Sequence, residues 1–187
     1  MPPIELKKHK VFISFHHKDE DYKTAFEATF ADHFISKSVQ NGDIDPDNQD
    51  DYVKRLIQED YISDSSIVIV MYGSQTHERK HVDWEISAAL NAKVNGYSGM
   101  IVLLLPTFPI SPFNEAGTYD ETKLYDYLHP RTVANIKSGY AKVYFWPNTY
   151  PNLPSVPIPD VLQDAFDRRI SHSYLIDNSD TQYKYNR

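Results

Sequence analysis

The sequence predicts an α/β protein in which a central five-stranded parallel sheet carries helices on both faces. Five short strand-like runs alternate with amphipathic stretches along the 187 residues. Two of these runs, 66–72 and 100–105, are almost entirely apolar, which is typical of parallel strands buried on both faces. Strands that alternate with helices are joined by right-handed crossovers, so a three-layer fold follows.

Each predicted strand is bounded by a turn signal or by a change to polar residues. Asn41-Gly42 ends the second strand, Gly73 ends the third and Pro106 ends the fourth. In chain order the five predicted strands cover residues 11–15, 35–40, 66–72, 100–105 and 142–147.

Each predicted helix repeats apolar residues at intervals of three or four. Acidic residues at 19–21 favour the start of the first helix, and Pro130 interrupts the fourth. In chain order the five helical stretches cover residues 22–34, 52–61, 82–90, 124–136 and 161–174. We expect the proline-rich stretch 147–159 to be an extended connector and the tail from Asp177 to be frayed.

Length and composition indicate a single domain over residues 1–187, with a core at about 9–147 and a C-terminal extension at 148–187. The chain has no cysteine, which excludes disulfide scaffolds, cysteine-based zinc sites and cysteine nucleophiles. No apolar run reaches membrane-spanning length, and the start has no signal-peptide core, so we expect a cytoplasmic protein with no membrane partner. The net charge of −7 argues against nucleic acid as a partner.

The predicted element order fits a flavodoxin-like sheet with strand order 2-1-3-4-5. Ligands of such sheets bind beyond the carboxyl ends of the strands, where the winding direction reverses. Here the reversal lies between the first and third strands, so residues 14–17 should meet residues 72–75. The next helix would bring Asp83, Trp84 and Glu85 toward the same crevice.

Glu85 is the leading candidate for chemistry in this crevice. It shares a predicted helix face with Ala88, Ala89 and Ala92, whose small side chains would leave room for a ligand. The alternative is that Glu85, near a helix start, only interacts with the helix dipole. His16 and His17 are likewise either a polar wall of the crevice or surface histidines. Phe15 would offer a stacking surface for a base.

Two metal-binding patterns are incomplete. Residues 77–81 match H-E-x-x-H, but the segment is polar and has no evident third ligand, so we expect no zinc site. Residues 43–47 resemble the start of an EF-hand loop, but Asn48 and Lys54 replace the required Gly and Glu. The sequence also lacks the glycine-rich phosphate loops and the nucleophile elbow of other α/β enzymes.

Several segments resemble bacterial TIR-like domains, most closely those of Thoeris anti-phage defence. The segment Val11-Phe12-Ile13-Ser14-Phe15, followed by residues 18–21, is similar to the first strand and acidic helix start of TIR domains. The segments 65–71, 74–76 and Val82-Asp83-Trp84-Glu85-Ile86 are similar to the bacterial branch. Lys80-His81 departs from that pattern, where an aromatic residue often precedes the valine.

The resemblance implies a flavodoxin-like TIR fold and an enzyme that cleaves NAD at the nicotinamide–ribose bond. It further implies that ADP-ribose is cyclised into a signalling nucleotide that activates an effector NADase, ThsA. NAD is then a substrate, and neither a cofactor nor a metal is needed. TIR enzymes often self-associate, so a homo-oligomer is expected.

The resemblance also assigns roles to residues. Glu85 corresponds to the catalytic glutamate, and residues 41–50 correspond to the BB loop that covers the crevice. Five substrate-binding candidates follow from their position at the crevice: Phe15, His16, Ser74, Gln75 and Trp84. The alternatives are a TIR scaffold without catalysis or a module that senses a nucleotide without cleaving it.

Overall fold

A computed structural model describes residues 7–38, 53, 56, 61–150, 153 and 156–187. Its sheet contains five parallel strands in the order β2-β1-β3-β4-β5, which confirms the predicted strand order. The strands are β1 (His9–Ser14), β2 (Phe34–Ser36), β3 (Ile67–Tyr72), β4 (Gly99–Leu104) and β5 (Lys142–Phe145). Every residue of β3 and β4 is buried, as expected for the centre of a sheet that is covered on both faces.

Four regular α-helices of the described chain cover the two faces. They are α1 (Glu20–Phe30), α2 (Lys80–Ala89), α3 (Pro130–Lys137) and α4 (Ile158–Ser171), and a 3₁₀ helix, Glu121–Tyr127, precedes α3. Pro130 is the first residue of α3, where a missing N–H costs nothing, so it begins a helix instead of interrupting one. The expected helix 52–61 lies mostly outside the described residues, although Val53 and Leu56 are helical.

Two hydrophobic layers hold the helices to the sheet. One layer joins α2 and α3 to side chains such as Phe12 and Val68, and the other joins α1 and α4 to Ile13 and Ile69. Neighbouring strand residues point to opposite faces, so β1, β3, β4 and β5 contribute to both layers, whereas β2 contributes Phe34 to the second layer alone. Gly99 permits the close approach of α4, because a Cβ there would overlap the carbonyl group of Ala165.

The first helix and the C-terminal tail differ from the sequence-based expectations. The helix predicted to reach Phe34 ends at Phe30, because Phe34 is buried in β2. The expectation that the tail from Asp177 is frayed is wrong. Tyr183 is only 8% exposed, and the segment 177–187 is hydrogen-bonded to α2 and α3. Among the described residues, no helix is both long and apolar enough to cross a membrane.

Candidate functional site

The carboxyl ends of β1 and β3 lie side by side, as the strand order requires. Ser14 at the end of β1 pairs in register with Val70 of β3. Beyond the strand ends, the Lys18 ammonium donates a hydrogen bond of 2.6 Å to the side-chain oxygen of Gln75. The segments that follow β1 and β3 therefore come together, through Lys18 and Gln75, whereas a direct contact between residues 14–17 and 72–75 stays a prediction.

Glu85 approaches this edge of the sheet from α2. The Ser14 hydroxyl donates a hydrogen bond to the Glu85 carboxyl, which links α2 to the end of β1. Glu85 keeps some solvent-accessible area, yet the surrounding protein removes most water from its carboxyl group. This desolvation raises the pKa of Glu85 to about 8, and the hydrogen bond from Ser14 opposes the rise only in part. The free protein therefore holds a largely protonated Glu85 at pH 7.

No cation of the described chain forms a salt bridge with Glu85. A buried acidic group usually acquires a compensating charge, and one that lacks it is available to a charged ligand. The expected free space beside Ala88 and Ala89 is absent, because both alanines are buried in the layer that joins α2 to the sheet. Ala92 is exposed beyond the end of α2.

His16 follows β1 at this edge of the sheet, and it already has partners within the protein. It is 4% exposed, its Nδ1 accepts a hydrogen bond of 2.9 Å from the backbone N–H of Lys18, and its ring stacks on His17. Desolvation, followed by the positive charges of His17, Arg79 and Lys18, lowers the pKa of His16 to about 4. His16 is therefore neutral at pH 7, and the cationic side chains of Arg79 and Lys18 are near enough to affect it.

Phe15 packs on the opposite side of the sheet from Glu85. Its ring contacts the layer beneath α1, and the Lys23 ammonium lies 5.9 Å from the ring centroid. Side chains alternate along a strand, so Ser14 and Phe15 point to different faces. The expectation that Phe15 stacks on a base beside Glu85 therefore conflicts with this placement.

The other substrate-binding candidates occupy different environments. Ser74 is exposed just after β3, and Gln75 is partly exposed and bound to Lys18, so both lie at the edge of the sheet where β1 and β3 end. Trp84 does not: its side chain is 2% exposed, and its indole N–H donates a hydrogen bond of 2.8 Å to the carbonyl of Tyr183. The expectation that Trp84 faces the crevice is wrong, because adjacent helix positions point in different directions.

The H-E-x-x-H pattern is not on one continuous helix. His77 lies in the 3₁₀ helix Thr76–Glu78, whereas His81 lies in α2, and Arg79 between them has an extended backbone. Within the described ranges, no group of three His, Asp or Glu side chains is placed to hold a metal ion. The EF-hand-like residues 43–47 and the expected BB loop at 41–50 lie outside the described residues.

Two features of the site region escaped the sequence analysis. The first is Ser14 as the partner of Glu85, and its signal was a single polar residue inside the apolar run 11–15. The second is the buried ion pair between Asp83 and Arg131, with 3.1 Å between Oδ1 and Nε. No local pattern marks that pair, because its members are far apart in sequence and meet only when α2 packs beside α3.

Asp19 also contributes to the edge of the crevice. Its buried carboxyl accepts a hydrogen bond of 3.1 Å from the Thr107 hydroxyl, and desolvation raises its pKa. A Cβ at position 73 would overlap this carboxyl, so Gly73 allows Asp19 to approach the end of β3. Asp19 thereby ties together the segments that follow β1, β3 and β4.

Comparison with known proteins agrees with this arrangement. No curated protein matches the chain. A family model described as "Thoeris protein ThsB, TIR-like domain" matches residues 12–107, just over half of the sequence. The matched stretch runs from β1 to the segment that follows β4 and includes both Ser14 and Glu85. The chain therefore belongs to the ThsB family of Thoeris TIR-like domains.

Proposed function

We propose that this protein cleaves the nicotinamide–ribose bond of NAD and closes the remaining ADP-ribose into a cyclic nucleotide. The observation that carries the proposal is the carboxyl of Glu85 at the switch point of the sheet, bonded to Ser14 and without a described cationic partner. Such a carboxyl is costly to bury and serves no described ion pair, so a cationic substrate is the partner that would compensate it.

The charge of the substrate matches this carboxyl. The nicotinamide ring of NAD carries a positive charge, which favours the ionised form of Glu85 when the ring binds nearby. Binding would therefore release the proton that Glu85 holds in the free protein. The hydroxyl of Ser14 would keep the carboxylate oriented by donating to it.

Bond cleavage then moves positive charge from the ring to the ribose. The bond between the ribose anomeric carbon and the ring nitrogen breaks, its electron pair stays with nitrogen, and nicotinamide leaves as a neutral molecule. No general acid is needed. The ribose becomes oxocarbenium-like, and a fixed carboxylate beside it stabilises that charge in a site with little water. Ionised Glu85 is therefore the group that would lower the barrier.

The cations around His16 suit the pyrophosphate of the dinucleotide. Lys18 follows β1, Arg79 precedes α2, and both are near enough to lower the pKa of His16. The whole chain has a net charge of −7, which disfavours the binding of an anion. Local positive charge at this edge would favour the binding of an anionic pyrophosphate there. Ser74 and Gln75, which border the same edge, would donate to or accept from the sugar hydroxyls.

Cyclisation requires a hydroxyl of the same ADP-ribose to attack the anomeric carbon before water does. A carbon–oxygen bond forms, and the hydroxyl proton passes to Glu85 or to water. The product equals NAD minus nicotinamide, with no added water. Holding the hydroxyl beside the carbon is a positioning effect worth up to several kcal/mol. In line with the family, we further propose that this product activates the effector ThsA in anti-phage defence.

The test is nicotinamide release from NAD, followed by mass analysis of the product, for the wild type and for Glu85→Gln. We expect the wild type to release nicotinamide and to form a product without added water, in purified form or in phage-challenged cells. Glu85→Gln should reduce the rate at least about 1,000-fold, because the amide cannot carry the negative charge. The swap is nearly isosteric, and Ser14 can still donate to the amide oxygen, so the circular dichroism spectrum should not change.

The remaining outcomes distinguish the alternatives. A product that contains one added water indicates a plain NAD hydrolase. Full activity of a folded Glu85→Gln variant shows that Glu85 is not the catalytic residue. Absence of turnover in both settings, with NAD still bound, indicates a nucleotide sensor, and absence of both turnover and binding indicates a scaffold.

A further inference from the structure

Residues 177–187, here called the C-terminal strap, cross the outer side of α2 and α3. Two hydrogen bonds attach the strap to α3. The side chain of Asn135 donates a hydrogen bond of 2.6 Å to the carbonyl of Asp177 and accepts one of 3.1 Å from the N–H of Asp177. The strap is also attached by Arg131, which donates to the Asn178 side chain and, at 2.7 Å, to the carbonyl of Asp180.

Asn178 connects α3 with the C-terminal part of α2. Its side-chain oxygen accepts a hydrogen bond from Arg131. Its amide nitrogen donates hydrogen bonds of 3.0 Å to the carbonyl of Ser87 and of 2.9 Å to the side chain of Asn91. One side chain of the strap therefore joins two helices. This bridge also satisfies one backbone carbonyl near the end of α2, that of Ser87.

Tyr183 contacts the middle of α2 through its backbone. Its N–H donates a hydrogen bond of 2.9 Å to the second carboxyl oxygen of Asp83, and its carbonyl accepts one of 2.8 Å from the Trp84 indole. The ring of Tyr183 is buried near His129, with 5.3 Å between the ring centroids. The two bonds involve the residues directly before Glu85, so the strap orients the helical turn that carries Glu85.

The end of the strap caps the start of α2. The Asn186 side chain accepts a hydrogen bond of 3.0 Å from the N–H of Lys80, and the N–H of Arg187 donates one of 2.9 Å to the carbonyl of Glu78. Arg79, at the N-cap position, makes no side-chain capping bond, so the strap supplies the side-chain cap of Lys80. The strap is consequently bonded before, within and after α2.

Fewer described hydrogen bonds join Glu85 to β1 than join the strap to α2. The contact between Glu85 and β1 depends on the hydrogen bond from Ser14, while Val82 and Ile86 seat the helix in the core. A small rotation or shift of α2 would separate Ser14 from Glu85 and admit water, since no cation among the described residues holds the carboxyl. The stiffness of α2 therefore decides the surroundings of Glu85.

We propose that the C-terminal strap is a positioning element that sets α2 on the sheet so that Glu85 meets Ser14 and the reacting ribose. The catalytic part of this inference rests on the proposed function, whereas the effect on the surroundings of Glu85 does not. Asn178 and Asn186 are its positioning residues, because they act on Glu85 through α2 and do not touch the substrate.

The experiment compares full-length Asn178→Ala and Asn186→Ala with a matched control, Ser179→Ala. Ser179 belongs to the strap, but its described side-chain bond is to Asp177 within the strap, so its loss should not move α2. The direct readout is the titration midpoint of the Glu85 side-chain carbon by ¹³C NMR, assigned by its absence in Glu85→Gln. The second readout is kcat and KM for nicotinamide release from NAD.

We expect a Glu85 midpoint near 8 in the wild type and in Ser179→Ala, and a midpoint at least one pH unit lower in Asn178→Ala. The midpoint falls because desolvation, which the entering water relieves, affects the pKa of Glu85 more than the hydrogen bond from Ser14 does. A smaller shift in the same direction is expected for Asn186→Ala, which loses one described side-chain bond. Asn178→Ala should also lower kcat at least tenfold at its pH optimum and leave KM within twofold, because Glu85 is misaligned while the substrate-binding groups stay in place.

Two results would overturn the proposal. One is an unchanged Glu85 midpoint in a folded Asn178→Ala variant whose free energy of unfolding has fallen, which would make the strap a brace alone. The other is a wild-type midpoint near 4.5, which would leave nothing for the strap to protect. If no protein cleaves NAD but the midpoints shift as expected, the positioning role stands and the proposed function fails.

Discussion

Asp83 and Glu85 stand two positions apart on α2, yet their surroundings differ completely. Asp83 is 2% exposed and forms an ion pair with Arg131, and its second oxygen accepts from the backbone of Tyr183. Glu85 faces the end of β1, where the Ser14 hydroxyl is its described hydrogen-bond partner. One helix thus presents a compensated carboxylate on one side and an uncompensated carboxyl on the other.

The difference separates a structural acid from an available one. Both oxygens of Asp83 have partners within the protein and the residue is 2% exposed, so Asp83 is not accessible to a ligand. Glu85 retains an oxygen without a described partner and a pKa raised to about 8 by desolvation. A group whose charge is costly in the free protein gains most from a substrate that brings the opposite charge. Four predictions test this contrast.

The largest expected effect is on stability, from Asp83→Ala. Removing one member of a buried ion pair leaves Arg131 charged and uncompensated, which should lower the free energy of unfolding by about 3–5 kcal/mol. Urea unfolding followed by circular dichroism measures it. The double variant Asp83→Ala with Arg131→Met should recover part of the loss, because no buried charge remains. A cost below about 1 kcal/mol for the single variant would show that the pair contributes little.

Glu85→Gln should have the opposite effect on stability. The pKa of Glu85 is raised from 4.5 in the unfolded chain to about 8 in the folded protein, so the stability from its protonated form is complete below pH 4.5. That stability is lost as the pH rises through 8. The glutamine variant lacks this loss and should exceed the wild type by about 1–3 kcal/mol at pH 8.5, a range discounted for the partial exposure of Glu85.

The measurement is the difference in free energy of unfolding between the two proteins from pH 4.5 to 8.5. Taking the difference cancels the contributions of Asp19, His16 and His129, whose pKa values also shift. A difference that stays constant across this range would show that the pKa of Glu85 is not raised.

Ser14→Ala should move the pH dependence of activity. The proposed cleavage of NAD needs ionised Glu85, so kcat/KM of the wild type should rise with pH and level off above about 8. The Ser14 hydroxyl lowers this pKa, so its removal should raise the midpoint by about one unit and cost about tenfold at pH 7. Activity at pH 9.5 should approach that of the wild type, and Ser36→Ala, at the end of β2, is the control. A uniform loss at all pH values would show that Ser14 orients Glu85 without setting its pKa.

The smallest expected effect is that of Lys18→Gln. Removing one cation from the edge where β1 and β3 end should raise KM for NAD about threefold to tenfold and leave kcat nearly unchanged, since pyrophosphate binding is the same before and during reaction. Lys142→Gln on β5, which removes a cation paired with Asp164, is the control. An equal rise of KM in both variants would indicate a general charge effect instead of a binding group.

Much of the fold could be predicted because its signals are local. The runs 66–72 and 100–105 predict central strands. The alternation of strands with helices fits a flavodoxin-like sheet, whose strand order is the one observed. The position of Glu85 near the switch point follows from the same order. Element ends were less predictable: periodicity continues through Phe34, although tertiary packing places Phe34 in β2.

The side-chain directions at the site were not predictable from order alone. Phe15 and Trp84 are adjacent to Ser14 and Glu85 in sequence, but one packs under α1 and the other is buried against Tyr183. Strand alternation and helical rotation separate neighbours in the chain by half a turn or a quarter turn. A residue next to a site residue in the sequence therefore does not necessarily face the site.

The sequence by itself determined the layered α/β architecture through local composition and periodicity, and the family through the motifs that it shares with TIR-like domains. The strand order followed from the match of the element order to a flavodoxin-like sheet, and Glu85 was a candidate from its place beside that crevice and from the family resemblance. Only the tertiary structure decided that Asp83 is neutralised by Arg131, that Glu85 meets Ser14, and that the tail from Asp177 is bound to α2 instead of frayed. These contacts join residues 48, 71 and 91 positions apart. Their energies come from burial and charge, which no local pattern records.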